Sequence, residues 1–187
     1  IMNIIELLKD QKNISVQEKN KFMKILNKES LKMKSIIEDL LHLTKIETDL
    51  TKKITKVVDL NKIILDSISR TETSAKKNGI KIKYTRLKPA NILGESNQLQ
   101  QMAVNIIDNS IKYADKKSLI NIELKDSENR LILSFKDKGK GISQRLIPRI
   151  TERFYRVPDM KIKSIEGTGL GLAIVKHIVI RHKAELK

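Results

Sequence analysis

The stretch Gly167-Thr168-Gly169-Leu170-Gly171-Leu172 leads directly into an apolar segment that is predicted to be helical as far as His182. Closely spaced glycines let backbone amides approach a polyphosphate, and the start of a helix adds a partial positive charge there. The stretch is not a Walker loop, because Gly-Lys-Ser/Thr is missing, and no clear strand precedes it as in a dinucleotide fold. Taken alone, a simple helix cap explains it about as well.

A second motif, Asp137-Lys138-Gly139-Lys140-Gly141-Ile142, follows a predicted strand. A carboxylate at the end of a strand can accept a hydrogen bond from an exocyclic amine such as that of adenine. The two glycines leave room for a base against the backbone. The alternative for such a motif by itself is a plain surface turn.

A third motif is the predicted helix from Gln101 to Ala114. Asn105 and Asn109 are four residues apart and therefore share one face, which Gln101 begins and which Lys112 and Tyr113 continue. Amide oxygens, an ammonium and a phenol are suited to Mg²⁺, a phosphate and an aromatic base, respectively. The alternative is a solvated polar face. The residues predicted to pack on the opposite side are Ala103, Ile106 and Ser110.

Residues 1 to about 50 contain no glycine or proline and are predicted to be helical, with one break at Asp10–Asn13. A capping box, Ser15-Val16-Gln17-Glu18, starts a long helix that ends near Leu50. Its apolar stripe is wider than the seam of a two-stranded coiled coil, which favours a helical hairpin that forms a four-helix bundle on dimerisation. The members of this stripe are Phe22, Ile25, Leu26, Met33, Ile36, Ile37, Leu40, Leu41, Leu43 and Leu50.

Residues 51–187 hold all seven glycines and all three prolines, and strand-like and helix-like stretches alternate along them. This mixture predicts an α+β fold, with helices on one face of a mixed sheet. The predicted strands are Lys53–Val58, Ile80–Tyr84, Asn91–Gly94, Leu119–Lys125 and Arg130–Asp137. The predicted helices run from the cap Asp59 to Lys77, from Ser96 to Ala114 and from Leu170 to His182.

Composition excludes several classes of protein. The chain of 187 residues has no cysteine, so it has neither disulfides nor a thiolate metal site, and its three histidines are not clustered. The net charge of +16 suggests nucleic acid as a partner, but the lysines come singly or in pairs, with only three phenylalanines and three tyrosines for stacking on bases. Nucleic-acid binding is therefore not expected.

In this order, the three motifs resemble the N, G1 and G2 boxes of the GHKL ATPases, which include histidine kinases, gyrase B, mismatch-repair ATPases and the large heat-shock chaperone. Glu152–Val157 resembles the F box of histidine kinases, and Gly169–His177 and Asp39–Glu47 are similar to histidine-kinase segments. The resemblance covers essentially the whole chain. It implies part of a dimerisation and phosphotransfer hairpin at 1–50, and at 51–187 an α/β sandwich of the GHKL (Bergerat) type, truncated at its C-terminal end.

The resemblance also implies roles for individual residues in binding ATP and Mg²⁺. Asp137 would bind the adenine amine, with Gly139, Gly141 and Ile142 beside the base. Asn105 and Asn109 would hold Mg²⁺. The other residues implied to bind the nucleotide are Lys112, Tyr113, Phe154, Gly167, Thr168, Gly169, Leu170 and Gly171. Asn109, Lys112 and Arg156 would serve phosphoryl transfer, and residues 143–166 would form a mobile lid.

The implied function is that of a bacterial two-component sensor histidine kinase. The γ-phosphoryl group of ATP would pass to a histidine upstream of Ile1, and from there to an aspartate of a response regulator. His42, His177 and His182 are not expected to be the acceptor. The protein would act as a homodimer, with this part in the cytoplasm and the full-length chain attached to the bacterial inner membrane.

The chain departs from the family pattern at a few positions, which are Glu95, Thr151, Glu166 and the pair Lys183-Ala184. Glu166 would place a negative charge near the phosphates and weaken binding. Three alternatives stay open at this point: a degenerate dimerisation module without kinase activity, another GHKL enzyme such as an anti-sigma-factor serine kinase, and a basic nucleic-acid-binding protein.

Overall fold

The computed structural model describes residues 15–128, 130–158 and 167–187. In chain order the elements are α1 (Val16–Asp49), β1 (Val57–Asp59), α2 (Leu60–Lys77), β2 (Lys81–Thr85), β3 (Asn91–Leu93), α3 (Ser96–Tyr113), β4 (Leu119–Ser127), β5 (Arg130–Lys136), a 3₁₀ helix (Gln144–Arg149) and α4 (Gly171–Arg181).

Helix α1 begins at the predicted capping box. The Glu18 amide donates to the Ser15 hydroxyl oxygen at 3.2 Å, and the Ser15 amide donates to the Glu18 carboxylate at 3.0 Å. Two backbone donors that no helical carbonyl can reach are thereby satisfied. The predicted first helix of the hairpin and the break after it fall on residues 1–14, outside the described residues.

The main sheet has three strands in the order β2-β4-β5. Strand β2 runs parallel to β4, and β4 forms an antiparallel hairpin with β5. Helices α2 and α3 cover one face of this sheet, which confirms the predicted α+β layers. The buried residues shared by the helices and the sheet are Leu60, Ile64, Ala75, Ile80, Ala90, Ala103, Ile107, Ile111, Ile120, Ile122 and Leu124.

Strands β1 and β3 form a separate antiparallel pair, in which Val57 lies opposite Leu93 and Val58 opposite Ile92. The predicted strand at Lys53–Val58 is therefore wrong at its start. A strand needs a partner for its backbone groups, and β3 offers only three residues. The cap prediction is confirmed, since the Asp59 carboxylate accepts from the Asn61 amide at 2.9 Å.

A second buried cluster joins α1 to α4. Leu43 and Ile46 of α1 are buried against three apolar side chains, which are Leu170 just before α4 and Ile174 and Ile178 within it. Ile46 was not in the predicted apolar stripe of α1. Several residues that were, including Leu40 and Leu50, are exposed.

The predicted lid, residues 143–166, contains an element that the sequence did not predict. The 3₁₀ helix Gln144–Arg149 includes Pro148, which helps to explain why no helical periodicity was visible. Residues 159–166 of this segment lie outside the described residues, among them Glu166.

Candidate nucleotide-binding site

Helix α3 supplies the polar face predicted for the site. Asn105 and Asn109 are half-buried, whereas Lys112 and Tyr113 near the end of the helix are exposed. The opposite face differs from the prediction at one position, because Ile106 is only half-buried and Ile107 lies in the core beside Ala103. A spacing of four matches the helical period more closely than a spacing of three.

Asn105 connects α3 to the glycine loop, which we define as residues 167–171. Its amide nitrogen donates to the Gly171 carbonyl oxygen at 3.2 Å, and its carbonyl oxygen accepts from the Gln101 side chain at 3.0 Å. The Asn105 side chain is thus engaged at both ends. Its predicted role as a Mg²⁺ ligand stays a prediction.

Asn109 differs from Asn105 in this respect. Within the described residues, no hydrogen bond joins its side-chain amide to another residue. A half-buried amide without a partner has an oxygen available for a ligand. Asn109 therefore fits a Mg²⁺ site better than Asn105 does.

The loop that carries Asp137 is held against the end of α3. Gly139 pairs with Ala114 as an isolated bridge, and the Asp115 amide donates to the Lys138 carbonyl at 3.1 Å. The Asp137 carboxylate accepts from the Gly139 amide at 2.9 Å, which leaves its other oxygen available. The second predicted motif thus meets the third in space.

The two glycines of that loop serve different ends. A Cβ at Gly139 would lie 2.8 Å from the Tyr113 carbonyl oxygen, so glycine is needed there for close packing of backbone on backbone. Gly141 has φ +71° and nothing within 4 Å of the Cβ position. Open space on this loop lies at Gly141 and not at Gly139, and the approach of a base there stays a prediction.

The glycine loop is also fastened to the F-box segment. The Phe154 amide donates to the Gly169 carbonyl at 2.9 Å. Gly169 has φ +75°, and a Cβ there would come within 2.8 Å of the Phe154 backbone. Phe154 itself has a positive φ of 61° and an exposed side chain, so this junction is tightly built around the glycine.

Within the loop, the Leu170 amide donates to the Thr168 hydroxyl oxygen at 3.2 Å, and the Leu170 side chain is fully buried. The Thr168 hydroxyl in turn donates to the Asp39 carboxylate of α1 at 2.7 Å. The sequence predicted an amide at Leu170 turned toward phosphate. In this arrangement that amide is engaged inside the loop.

Contacts with the C-terminal part of α1 were missed by sequence reasoning. Glu47 forms an ion pair with Arg153 and lies 3.5 Å from the His177 ring nitrogen. Arg181 is buried and donates to the carbonyls of Asp49 and Lys52, at the end of α1 and just beyond it. No local sequence pattern predicts such contacts, because the partners are more than a hundred residues apart in the chain.

Two titratable side chains, one on α3 and one on α4, have shifted pKa values. Burial raises the pKa of the Asp108 carboxyl, and the neighbouring Lys112 ammonium opposes that rise. Burial is also the main cause that lowers the pKa of His177, with Glu47 acting in the opposite direction.

The remaining predicted residues, Ile142 and Arg156, are exposed, and Gly167 has open space at its Cβ position.

The arrangement of an amide-bearing helix, a strand-end aspartate and a glycine loop can be compared with known proteins. The family model described as histidine kinase-, DNA gyrase B- and HSP90-like ATPase matches residues 94–187, which include all three motifs. The chain belongs to this ATPase family. The resemblance to bacterial sensor histidine kinases drawn from the motifs is confirmed.

Two curated relatives support the resemblance to sensor histidine kinases. The phosphate regulon sensor protein PhoR of Pseudomonas aeruginosa is 31% identical over 83% of this chain and 35% of its own length. The sensor protein kinase WalK of Staphylococcus saprophyticus is 33% identical over 88% of this chain and 27% of its own length. The chain thus spans about a third or less of these relatives and carries an ATPase domain homologous to that of sensor kinases.

Solved structures support the fold. A mycobacterial sensor histidine kinase, MprB, is 28% identical with a TM-score of 0.59, over 68% of this chain and 80% of that one. Full-length ShkA in complex with AMPPNP is 21% identical with a TM-score of 0.69, over 92% of this chain and 35% of that one. Among the described residues, no helix has the length and apolarity needed to cross a membrane.

Proposed function

We propose that this chain binds Mg-ATP and forms part of a sensor histidine kinase. The kinase would transfer the γ-phosphoryl group of ATP to a histidine upstream of Ile1. The observation that carries the proposal is the meeting of three motifs around α3. Gly139 lies against one end of that helix, and the Gly171 carbonyl accepts a hydrogen bond from Asn105 in the middle of the helix.

Asp137 supports recognition of the adenine amine. One of its carboxylate oxygens is occupied by the Gly139 amide, so the group is oriented, and the second can accept from the exocyclic amine. The open space at Gly141 allows a base to approach the backbone there. Tyr113, at the end of α3, and Ile142, next to Gly141, offer exposed apolar surface.

The phosphates would lie between the glycine loop and α3. Lys112 supplies a positive charge at the end of α3, and the amides at the start of α4 supply a partial one. Arg156 adds an exposed guanidinium after the F box. Mg²⁺ held through the Asn109 oxygen would neutralise phosphate charge, and Asn105 would keep the glycine loop in place.

In the transfer itself, the bond from the γ-phosphorus to the bridging oxygen of ADP breaks and a bond to the histidine nitrogen forms. ADP leaves, and the histidine gives up a proton. Such a reaction depends on positioning and charge neutralisation more than on a covalent catalyst. The phosphoryl group would then pass to an aspartate of a response regulator, and the full-length protein would be attached to the bacterial inner membrane.

The test is calorimetric titration of the protein with Mg²⁺ and AMPPNP. Asp137→Asn should abolish measurable binding, and Asn109→Ala should weaken it and remove its dependence on Mg²⁺. Asp126→Asn, which removes the same charge at an exposed position near the end of β4, is the matched control and should bind normally.

Absence of binding by the folded parent protein would refute the nucleotide site. Binding without phosphoryl transfer, in a longer chain that includes the upstream histidine, would instead identify a degenerate module that retains its nucleotide site. A phosphohistidine formed only with Mg-ATP would establish the kinase.

A further inference from the structure

The contact between Asp39 and Thr168 brings a carboxylate to the loop that is proposed to hold phosphate. Both residues are half-buried, and the Thr168 hydroxyl donates to the Asp39 oxygen at 2.7 Å. A threonine hydroxyl has a single proton to donate. While that proton is given to Asp39, it is not available to a phosphate oxygen.

The Thr168 hydroxyl also occupies a second hydrogen-bond donor, the Leu170 amide. Its oxygen accepts from the Leu170 amide at 3.2 Å, so both groups are satisfied without a ligand. An amide and a hydroxyl are suitable partners for an anion at a glycine-rich turn before a helix. In this arrangement Asp39 stands where an anionic ligand would otherwise be bound by Thr168.

The packing around this contact holds the glycine loop on α1. Leu170, the next loop residue but one, is fully buried in a cluster with Leu43, four positions along α1 from Asp39. One turn farther along α1, Glu47 is paired with Arg153. The loop is therefore seated on α1 by apolar contacts and by the hydrogen bond from the Thr168 hydroxyl to Asp39.

We propose that Asp39 is a further positioning residue of the nucleotide site, which competes with phosphate for the Thr168 hydroxyl. Binding of the triphosphate and seating of the glycine loop on α1 then oppose each other, because two anions cannot share one donor and repel one another at close range. This inference rests on the proposed nucleotide site and concerns its regulation by α1.

Removal of the Asp39 charge tests the competition. Asp39→Asn keeps the size and an acceptor oxygen but weakens the bond to Thr168, since hydrogen bonds to charged groups are the stronger kind. AMPPNP with Mg²⁺ should bind about threefold to tenfold more tightly to this variant in calorimetry, the range expected when a charge-assisted hydrogen bond is replaced by a neutral one. Screening by salt should shrink the difference.

The control variant is Glu38→Gln. Glu38 is the neighbouring residue on α1, carries the same charge, is exposed and lies 3.9 Å from Lys34. Its neutralisation should leave AMPPNP affinity unchanged. In a Thr168→Val background, Asp39→Asn should have little further effect, because the competition acts through the Thr168 hydroxyl.

A second measurement separates competition from a merely structural role. Without nucleotide, Asp39→Asn should lower the melting temperature of the protein while it tightens AMPPNP binding, so the two effects have opposite signs. Equal or weaker AMPPNP binding by Asp39→Asn than by the parent overturns the inference. Absence of binding in parent and variants alike would be the failure of the nucleotide site itself, which the Asp137→Asn and Asn109→Ala titrations detect independently, and the inference would fall with it.

Discussion

Among single residues, the glycines of the motifs look equivalent in the sequence, but the structural need for glycine differs from one position to another. Gly139 is required by the close approach of the Tyr113 carbonyl, and Gly169 by a positive φ and by the Phe154 backbone. Gly167 has neither constraint within the described structure. The cost of replacing each one should therefore differ.

The first prediction concerns Gly139→Ala. Its methyl group would lie 2.8 Å from the Tyr113 carbonyl, so the Asp137 loop must move away from α3. We expect a loss of about 1–3 kcal/mol in unfolding free energy, as for other overpacked sites, together with weaker AMPPNP binding. Urea denaturation and calorimetry measure the two effects. Gly167→Ala is the matched control for the unfolding free energy, and an equal loss of stability there would contradict the steric explanation.

The second prediction concerns His182 and pH. Its Nε2 accepts from the Glu95 amide at 3.0 Å, so the proton is on Nδ1, which donates to the Ile178 carbonyl at 2.8 Å. Burial is the main cause that lowers the pKa of His182 below 6.5. As the pH falls below 6.5, the unfolded chain binds the proton first, so stability contributed by neutral His182 is present above that pH and is lost below it.

The measurement is the unfolding free energy in urea at about pH 7.5 and about pH 5.5, on either side of the ordinary histidine pKa. His182→Gln should lose less stability between these conditions than the parent does. His177, whose pKa is lowered as well, accounts for part of the loss that remains.

At the scale of elements, the packing of α4 on α1 is the main addition that the structure makes to the predicted helices. Leu43 is fully buried there, whereas Leu41, two residues earlier, is 62% exposed. The glycine loop begins α4, so the same packing positions the candidate site. Arg181 at the end of α4 adds polar contacts to the end of α1 and to Lys52.

The third prediction is that Leu43→Ala destabilises the protein by about 2–5 kcal/mol, the range for truncation of a buried leucine. Leu186→Ala, at an exposed leucine outside α1, should change the unfolding free energy by less than about 0.5 kcal/mol, as exposed substitutions do. Urea denaturation followed by circular dichroism gives both values. Equal effects of the two substitutions would mean that the α1–α4 contact adds nothing to stability.

At the scale of the whole molecule, α1 presents apolar side chains that the described part of the chain does not cover. They are Val16, Met23, Leu31, Met33, Ile37, Leu40 and Leu41, and Leu50 just after the helix is exposed as well. A long exposed apolar surface on a helix is typical of an interface. The proposed homodimer through α1 would cover it.

The fourth prediction is that Ile37→Glu weakens self-association. Ile37 is 55% exposed in the single chain, and a charge placed there would be buried in the dimer without a partner. We expect the dissociation constant of the dimer, measured by sedimentation velocity, to rise by at least an order of magnitude. Asn27→Glu makes the same charge change at an exposed polar position and should have little effect. A parent protein that stays monomeric at every concentration would refute the dimer.

Most helices and strands, and the family, could be predicted from the sequence, whereas the 3₁₀ helix Gln144–Arg149 and the start of β1 could not. The Ser15–Glu18 capping box, the Asp59 cap and each of the three motifs consist of residues that are close together in the chain, and local geometry connects such residues directly to helices and turns. The contacts that build the candidate site appear only in the folded chain: Asn105 with Gly171, Gly139 with the end of α3, and Asp39 with Thr168. These partners are distant in sequence, and their contact depends on how the helices and the sheet pack together, which no local pattern specifies.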